Sequence, residues 1–277
     1  HEADAFLSCC ELDPLHTRLM QESLNQLRQD FFADKMIPAL VFPEMTREAL
    51  GHDPSAIFDT LGAVHFFFYG FLDLTDDVED RDLKGDLWQD MGEPAAINIG
   101  TSLLFLSFNL LNSLALAPEL KLRLHQQFSE AGYALTVGQH RDLLSFRTST
   151  YQEHTVEDAL TTHLLKTGTS LALYLTSTAC AAGANLTVQA HFEALGHALG
   201  IVLQILGDWR DTEVPCSPDF ANRCQSVPLS LLQSQASAED RLYLSHLSRQ
   251  AHEASMSPDG QTTLPFEMYR YLLRKYA

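Results

Sequence analysis

Apolar residues recur at three- and four-residue spacing through most of this chain, and no other feature restricts its fold as strongly. The pattern runs through "LHTRLMQESLNQLRQDFF", "TSLLFLSFNLLNSLALA", "LKLRLHQQFSEAGYALTVGQH", "VEDALTTHLLKTGTSLALYLTSTACAA" and "TVQAHFEALGHALGIVLQILGDWRD". An amphipathic helix repeats its apolar face every 3.6 residues or so, whereas a half-buried strand alternates. No stretch alternates convincingly. Pro and Gly fall between the periodic segments, in "LGHDP", "MGEP", "ALAP", "VPCSPDFANR" and "SPDG", where they end helices. With no linker and no internal repeat, the expected architecture is one all-α domain over residues 1–277. Residues 101–115 and 164–182 are apolar nearly all round, which predicts central helices wrapped by others.

A chain of 277 residues buries enough apolar surface to need neither disulfides nor a structural metal. Its 36 acidic against 18 basic residues give a formal charge of −18, a field that repels nucleic acid and anionic membranes. An anionic ligand must then be met locally, by a metal or a few placed cations. Cys9, Cys10, Cys180, Cys216 and Cys224 form an odd set without a CxxC pair, which fits a reducing, cytoplasmic compartment. No segment has the order of regions of a signal peptide. The apolar runs around Leu103 and Ile201 are interrupted by Asn, Ser, Gln or Gly before reaching roughly 18 residues, so no stable membrane insertion is expected.

Two acidic clusters stand out. In "LTDDVEDRDLKG", directly after the apolar run "VHFFFYGFL", a helix places Asp76 and Asp80 on one face with Asp77 beside it. Carboxylates so crowded repel one another unless cations neutralise them, and hard oxygen donors suit Mg²⁺. A solvated helix end would give the same stretch. The second cluster ends "GHALGIVLQILGDWRDTE", where Gln204, Asp208 and Asp211 project from one face and Gly196 and Gly200 permit close helix packing. Both segments deliver acids to the end of an apolar helix, and a bundle could set those ends opposite each other over a cavity. Lys166 and Thr167 fall inside a third apolar helix, where an ammonium wants an anion, unless it snorkels to solvent. Together with the aromatic run Phe66, Phe67, Phe68, Tyr69 and Phe71, some of it necessarily core, these residues describe a site for an organic diphosphate with an apolar tail.

At these residues the chain resembles the trans-isoprenyl diphosphate synthase family. "DDVED" matches its first aspartate-rich motif, DDxxD. "GEPAAINIGTSLL" resembles the segment after it, "GQHRDLL" resembles GQxxDL, and "KTG" matches its Lys-Thr pair. "LGIVLQILGDWRD" is similar to the second aspartate-rich region, with Gly207 in place of its first Asp, and "PDFANRCQSVPLSLL" resembles the region ending in GKxTLP, with Cys224 where Lys is expected. The resemblance implies a class I isoprenoid synthase bundle around a central cavity. It implies two or three Mg²⁺ ions at Asp76, Asp77, Asp80, Asp208 and Asp211, with an allylic diphosphate contacted by Lys166, Thr167, Gln204 and Arg210 or, for Arg210, a salt bridge to Asp211 or Glu213. It also implies a tail pocket walled by Phe67, Phe68 and Phe71, the last standing where a large residue limits chain length.

The departures fall on the second substrate. In the family, isopentenyl diphosphate is held by the arginines of an early GKRxRP motif and by an Arg pair after DDxxD. Here "ADKMIPALVFPEM" keeps Lys35 alone, and Lys84 is the one remnant of the pair. Without guanidinium forks a diphosphate loses bidentate bonds. Four activities are compatible with that pattern: a terpene synthase, expected first; a prenyltransferase onto another acceptor such as a peptide; a short-chain isoprenyl diphosphate synthase; and a non-catalytic regulatory subunit. A homodimer is expected from the resemblance.

Overall fold

Gly51, at φ 75°, turns the chain before extended Ser55, from which a long helix starts. α4 (Ala56–Glu79) runs without an interior proline and ends where the Asp80 amide bonds back to the Asp76 carbonyl at 2.8 Å. The computed structural model describes residues 2–9, 13–32, 37–80, 83, 86–147, 155–213, 220, 226–255 and 264–276. Before α4 come α1 (Glu2–Cys9), α2 (Pro14–Phe32) and α3 (Pro38–Ala49); after it come α5 (Asp86–Ser113) and α6 (Pro118–Arg147). α7 (Val156–His163) passes through a π turn, Leu164–Gly168, into α8 (Thr169–Ala181). α9 (Leu186–Asp211), α10 (Val227–Gln235), α11 (Ala238–Ser255) and α12 (Leu264–Tyr276) complete the order. Among the described residues there is no strand, as the 3.6-residue periodicity predicts. The break expected at "MGEP" takes the form of a kink: Gly92, at φ 72° and ψ 174°, interrupts α5 without ending it.

The chain divides into two compact units, His1–Gly132 with Leu171–Gly196, and Tyr133–Ser170 with His197–Ala277. In the first, α4 packs most extensively on α5, and the core holds Met20, Leu24, Leu61, Phe67, Phe68, Ile99, Leu103, Phe128 and Tyr174. In the second, Phe220 stacks on Tyr269 with centroids 4.1 Å apart and meets Phe266 edge-on. Leu229, Leu232, Leu244, Leu247 and Leu272 close around that aromatic group.

α8 is buried at every position from Leu171 to Cys180, as its all-round apolarity predicts, and Cys180 is a free thiol. The same prediction fails for residues 101–115. Thr101 is exposed and Phe105 is 63% exposed, forming with Ile97 an uncovered stripe at four-residue spacing along α5. All-round apolarity cannot tell which face lacks a neighbour. A second correction concerns the interrupted apolar runs: α4, Met91–Ser113 of α5, and α9 are each long and apolar enough to cross a membrane by length and composition. Scattered Asn, Ser, Gln and Gly do not offset the Leu, Ile, Val and Phe around them.

Candidate active site

In the first unit the carboxylates of Asp76, Asp77 and Asp80 sit at the C-terminal end of α4, each half-buried. Among the described residues no three His, Cys, Asp or Glu side chains converge to hold a metal. Mg²⁺ commonly binds one or two carboxylates and completes its shell with water and phosphate oxygens. Asp76 and Asp80, hard donors one turn apart, fit that ion without a closed cage. Behind them Phe67 is wholly buried and packs on Phe6 (6.3 Å), and Phe68 meets Phe128 edge-on at 5.2 Å. Both belong to the core. Phe71, half-buried and 6.1 Å from Phe68, is the more accessible of the expected tail contacts. Lys35 and Lys84 lie outside the described residues.

A cavity of about 570 Å³ also opens in this unit, lined by Arg28, Leu40, Glu44, Phe58, Gly62 and Phe66 among others. It adjoins the N-terminal half of α4; Gly62 precedes Asp76 by roughly 20 Å of helix at 1.5 Å per residue. The Asp76, Asp77 and Asp80 cluster is therefore at the other end of that helix.

The second unit builds its polar centre around the π turn. Thr155 caps α7 reciprocally with Asp158, which fixes where that helix starts. The Thr169 amide returns to the Leu164 carbonyl five residues back, one residue more than in an α-helix; such π turns insert an extra residue and re-aim side chains, often at functional sites. Two helices press on it. A Cβ at Gly138 would lie 2.9 Å from Leu165, and one at Gly200 would lie 2.4 Å from the Gly168 Cα, so only glycine permits either approach. The close packing expected of Gly200, and of Gly196 against Ala172, is present.

Lys166, on the turn, donates to Asp142 Oδ2 at 2.9 Å. The anion that its burial demands is supplied by "GQHRDLL" on α6. Thr167 donates to Gln204 Oε1 at 2.5 Å, and Gln204 Nε2 donates to Asp208 Oδ1 at 3.2 Å. Asp208 Oδ2 accepts from His163 Nε2 at 2.8 Å and from the Val227 amide at 2.9 Å. Asp208 is 4% exposed, and three donors occupy three of the roughly four lone-pair positions of its carboxylate. Asp211 and Thr212 line, with Asp208, a gap of about 10 Å³, about enough for one water-sized occupant. Arg210 is exposed, and Glu213 pairs with Arg270 of α12 at 2.7 Å. Lys275 likewise pairs with Asp240 at 2.5 Å.

Sequence reasoning missed Asp142 and His163 as members of this network. Asp142 was signalled by its place in "GQHRDLL" and His163 by standing three residues before Lys166, but neither spacing identifies a partner on another helix.

The architecture is the all-α isoprenoid synthase fold. The chain superposes on a geranylgeranyl pyrophosphate synthetase from Pyrococcus horikoshii Ot3 with a TM-score of 0.78 at 20% identity, covering 99% of this chain and 81% of that one. A T. brucei farnesyl diphosphate synthase gives 0.74 at 18% identity over 99% and 84%. A decaprenyl diphosphate synthase from Rhodobacter capsulatus gives 0.70 at 17% over 94% and 86%. No curated protein matches by sequence. A family model described as Polyprenyl synthetase matches residues 40–253, and the chain belongs to that family.

Proposed function

We propose that this protein is an Mg²⁺-dependent enzyme that ionises an allylic prenyl diphosphate of C10 to C20 without isopentenyl diphosphate, as a class I terpene synthase. The observation that carries the reading is an asymmetry. Asp76, Asp77 and Asp80 are complete at the end of α4, whereas the segment preceding and entering α3 lacks the arginines that would grip a second diphosphate.

In this reading Asp76, Asp77 and Asp80 hold Mg²⁺ in the first unit, with Asp211 a ligand in the second. When bound, Mg²⁺ supplies the positive charge that stabilises a departing diphosphate. Lys166 adds a cation for the diphosphate, and Asp142 holds that ammonium in place until substrate competes for it. Thr167 and Gln204 orient the π turn toward substrate. Asp208, already engaged by three donors, acts chiefly as the post that fixes Gln204 and His163, with one lone-pair position left for a metal. Phe71 offers a ring face to the developing carbocation.

A second reading, a chain-elongating prenyltransferase, is favoured by membership of the polyprenyl synthetase family and by the fold shared with the geranylgeranyl and farnesyl diphosphate synthases. We also propose a cytoplasmic, homodimeric enzyme, with the exposed Ile97, Thr101 and Phe105 stripe of α5 as the interface; a light-scattering mass near the 30.9 kDa monomer would refute the dimer.

The test of function is incubation with Mg²⁺ and geranyl, farnesyl or geranylgeranyl diphosphate, each with and without isopentenyl diphosphate. Hydrocarbon or alcohol formed without isopentenyl diphosphate supports the terpene synthase. Longer diphosphates formed only in its presence support elongation, and no turnover in either arm refutes both.

A further inference from the structure

Three polar side chains occupy a stretch of the first unit where an apolar tail alone requires none. Tyr69 and Asp73 stand one turn apart on α4, and the Tyr69 hydroxyl donates to the Asp73 carboxylate. Tyr174, on α8, is 1% exposed and its hydroxyl has no hydrogen-bond partner. A buried phenol ordinarily finds one. Its ring meets His65 edge-on at 5.2 Å, but His65 Nε2 is joined to Ser177 Oγ at 2.7 Å and its Nδ1 is itself without a partner. Burial raises the hold of both phenols on their protons, and the charge of Asp73 adds to it. The carboxylate thus accepts a hydrogen bond from Tyr69 and acts on Tyr174 through its charge.

Position gives this group its meaning. Residues 69, 73, 76 and 80 recur at four, three and four, along one face of α4. Asp73 precedes Asp76 by about 4.5 Å of helix rise and Tyr69 by about 10 Å. The inference rests on the reading that Asp76, Asp77 and Asp80 hold the diphosphate end of an allylic substrate; Asp73 and Tyr69 are then the next groups along the helix face that the carbon chain follows. An apolar tail gains nothing from a carboxylate. A carbocation does, and so does the acidic hydrogen beside it.

We propose that Asp73 is the base that ends the reaction, held in place by Tyr69, with the buried, unpartnered hydroxyl of Tyr174 in the same unit. The diphosphate leaves with the electron pair of the C–O bond. The C–H bond next to the cationic carbon then breaks; its electron pair becomes the new C=C bond, and the proton passes to an Asp73 oxygen and from there to solvent. No oxidant, reductant or further substrate is needed. Asp73 is the catalytic residue of this step and Tyr69 a positioning residue. Tyr174 limits where water can stand.

The experiment uses the full chain with Mg²⁺ and each allylic diphosphate, scoring released diphosphate, hydrocarbon and alcohol for wild type, Asp73→Asn, Tyr69→Phe and Tyr174→Phe. Circular dichroism and thermal melting check that each variant folds. For Asp73→Asn the hydrocarbon formed per diphosphate released should drop at least tenfold, with alcohol from water capture in its place. Tyr69→Phe should lower the same ratio severalfold through kcat, with KM little moved, and Tyr174→Phe should raise the alcohol share. A wild-type ratio in folded Asp73→Asn overturns the proposal, as does complete loss of diphosphate release, which would make Asp73 a metal ligand instead. If Asp73→Asn does not fold, an unchanged ratio in Tyr69→Phe overturns it. Absence of diphosphate release by wild type defeats the functional reading beneath it, a failure distinct from a misassigned base.

Discussion

Lys166 Nζ lies 2.9 Å from Asp142 Oδ2, so the ammonium on the π turn is already neutralised by an anion of the chain itself. Both side chains are mostly buried, and neither charge is cheaply stranded there. If Lys166 serves the diphosphate, Lys166→Met should lower diphosphate release by about 100-fold or more, the usual scale for a lost electrostatic stabiliser. Asp142→Ala should act differently, lowering stability by about 1–3 kcal/mol because it leaves the ammonium poorly paired. Steady-state kinetics and urea unfolding on both variants separate the two effects.

Gly207 stands where the family pattern has an acid, and a Cβ added there meets nothing within 4 Å. Gly207→Asp should therefore fold without strain and place a carboxylate next to Asp208. The Mg²⁺ concentration for half-maximal diphosphate release should fall several-fold. An unchanged Mg²⁺ titration would mean that the second acidic cluster binds no metal that limits turnover.

Helix packing around the π turn has little tolerance. At Gly200 an added Cβ would sit 2.4 Å from the Gly168 Cα and 2.5 Å from the Thr167 carbonyl oxygen, and backbone cannot swing aside as a flexible side chain can. Gly200→Ala should destabilise by about 1–3 kcal/mol or more, as overpacking does. Gly62→Ala is the control: nothing lies within 4 Å, and the change should stabilise by about 0.4–1 kcal/mol through helix propensity and the unfolded chain. Chemical denaturation of the two variants should give opposite signs.

His65 is fully buried, and desolvation pushes its pKa down to about 3 from an ordinary 6.5. Its neutral form is what the folded core accepts, so between these values the unfolded chain binds more protons. The stability associated with neutral His65 is complete above about pH 6.5 and is lost as pH falls toward 3, on the order of 5 kcal/mol. His65→Phe should flatten the fall in stability between pH 7 and 4; an unchanged slope would assign that dependence to other groups.

Much of this protein is legible from local pattern. The spacing of Leu, Ile, Val and Phe specifies where helices run, because an amphipathic face repeats along the chain itself. The same argument sets Asp76 and Asp80 one turn apart, and the "GHALG" glycines announce a close helix contact without naming its partner. Even there the pattern overreached: an apolar surface all round Thr101 to Ala115 says nothing about which neighbour is absent, and Phe105 is left exposed.

The rest was decided in three dimensions. Lys166 and Asp142 are 24 residues apart in sequence, and His163 and Asp208 are 45 apart. A hydrogen bond requires two atoms to meet within about 3 Å, and periodicity places residues around one helix axis, never between two. The π turn belongs to the same class of fact, since it accompanies α6 and α9 pressing glycine against Leu164–Gly168. By itself the sequence determined which chemical groups the helices carry and on which of their faces. Tertiary packing alone decided which groups on different helices meet, as Lys166 meets Asp142 and Asp208 meets His163.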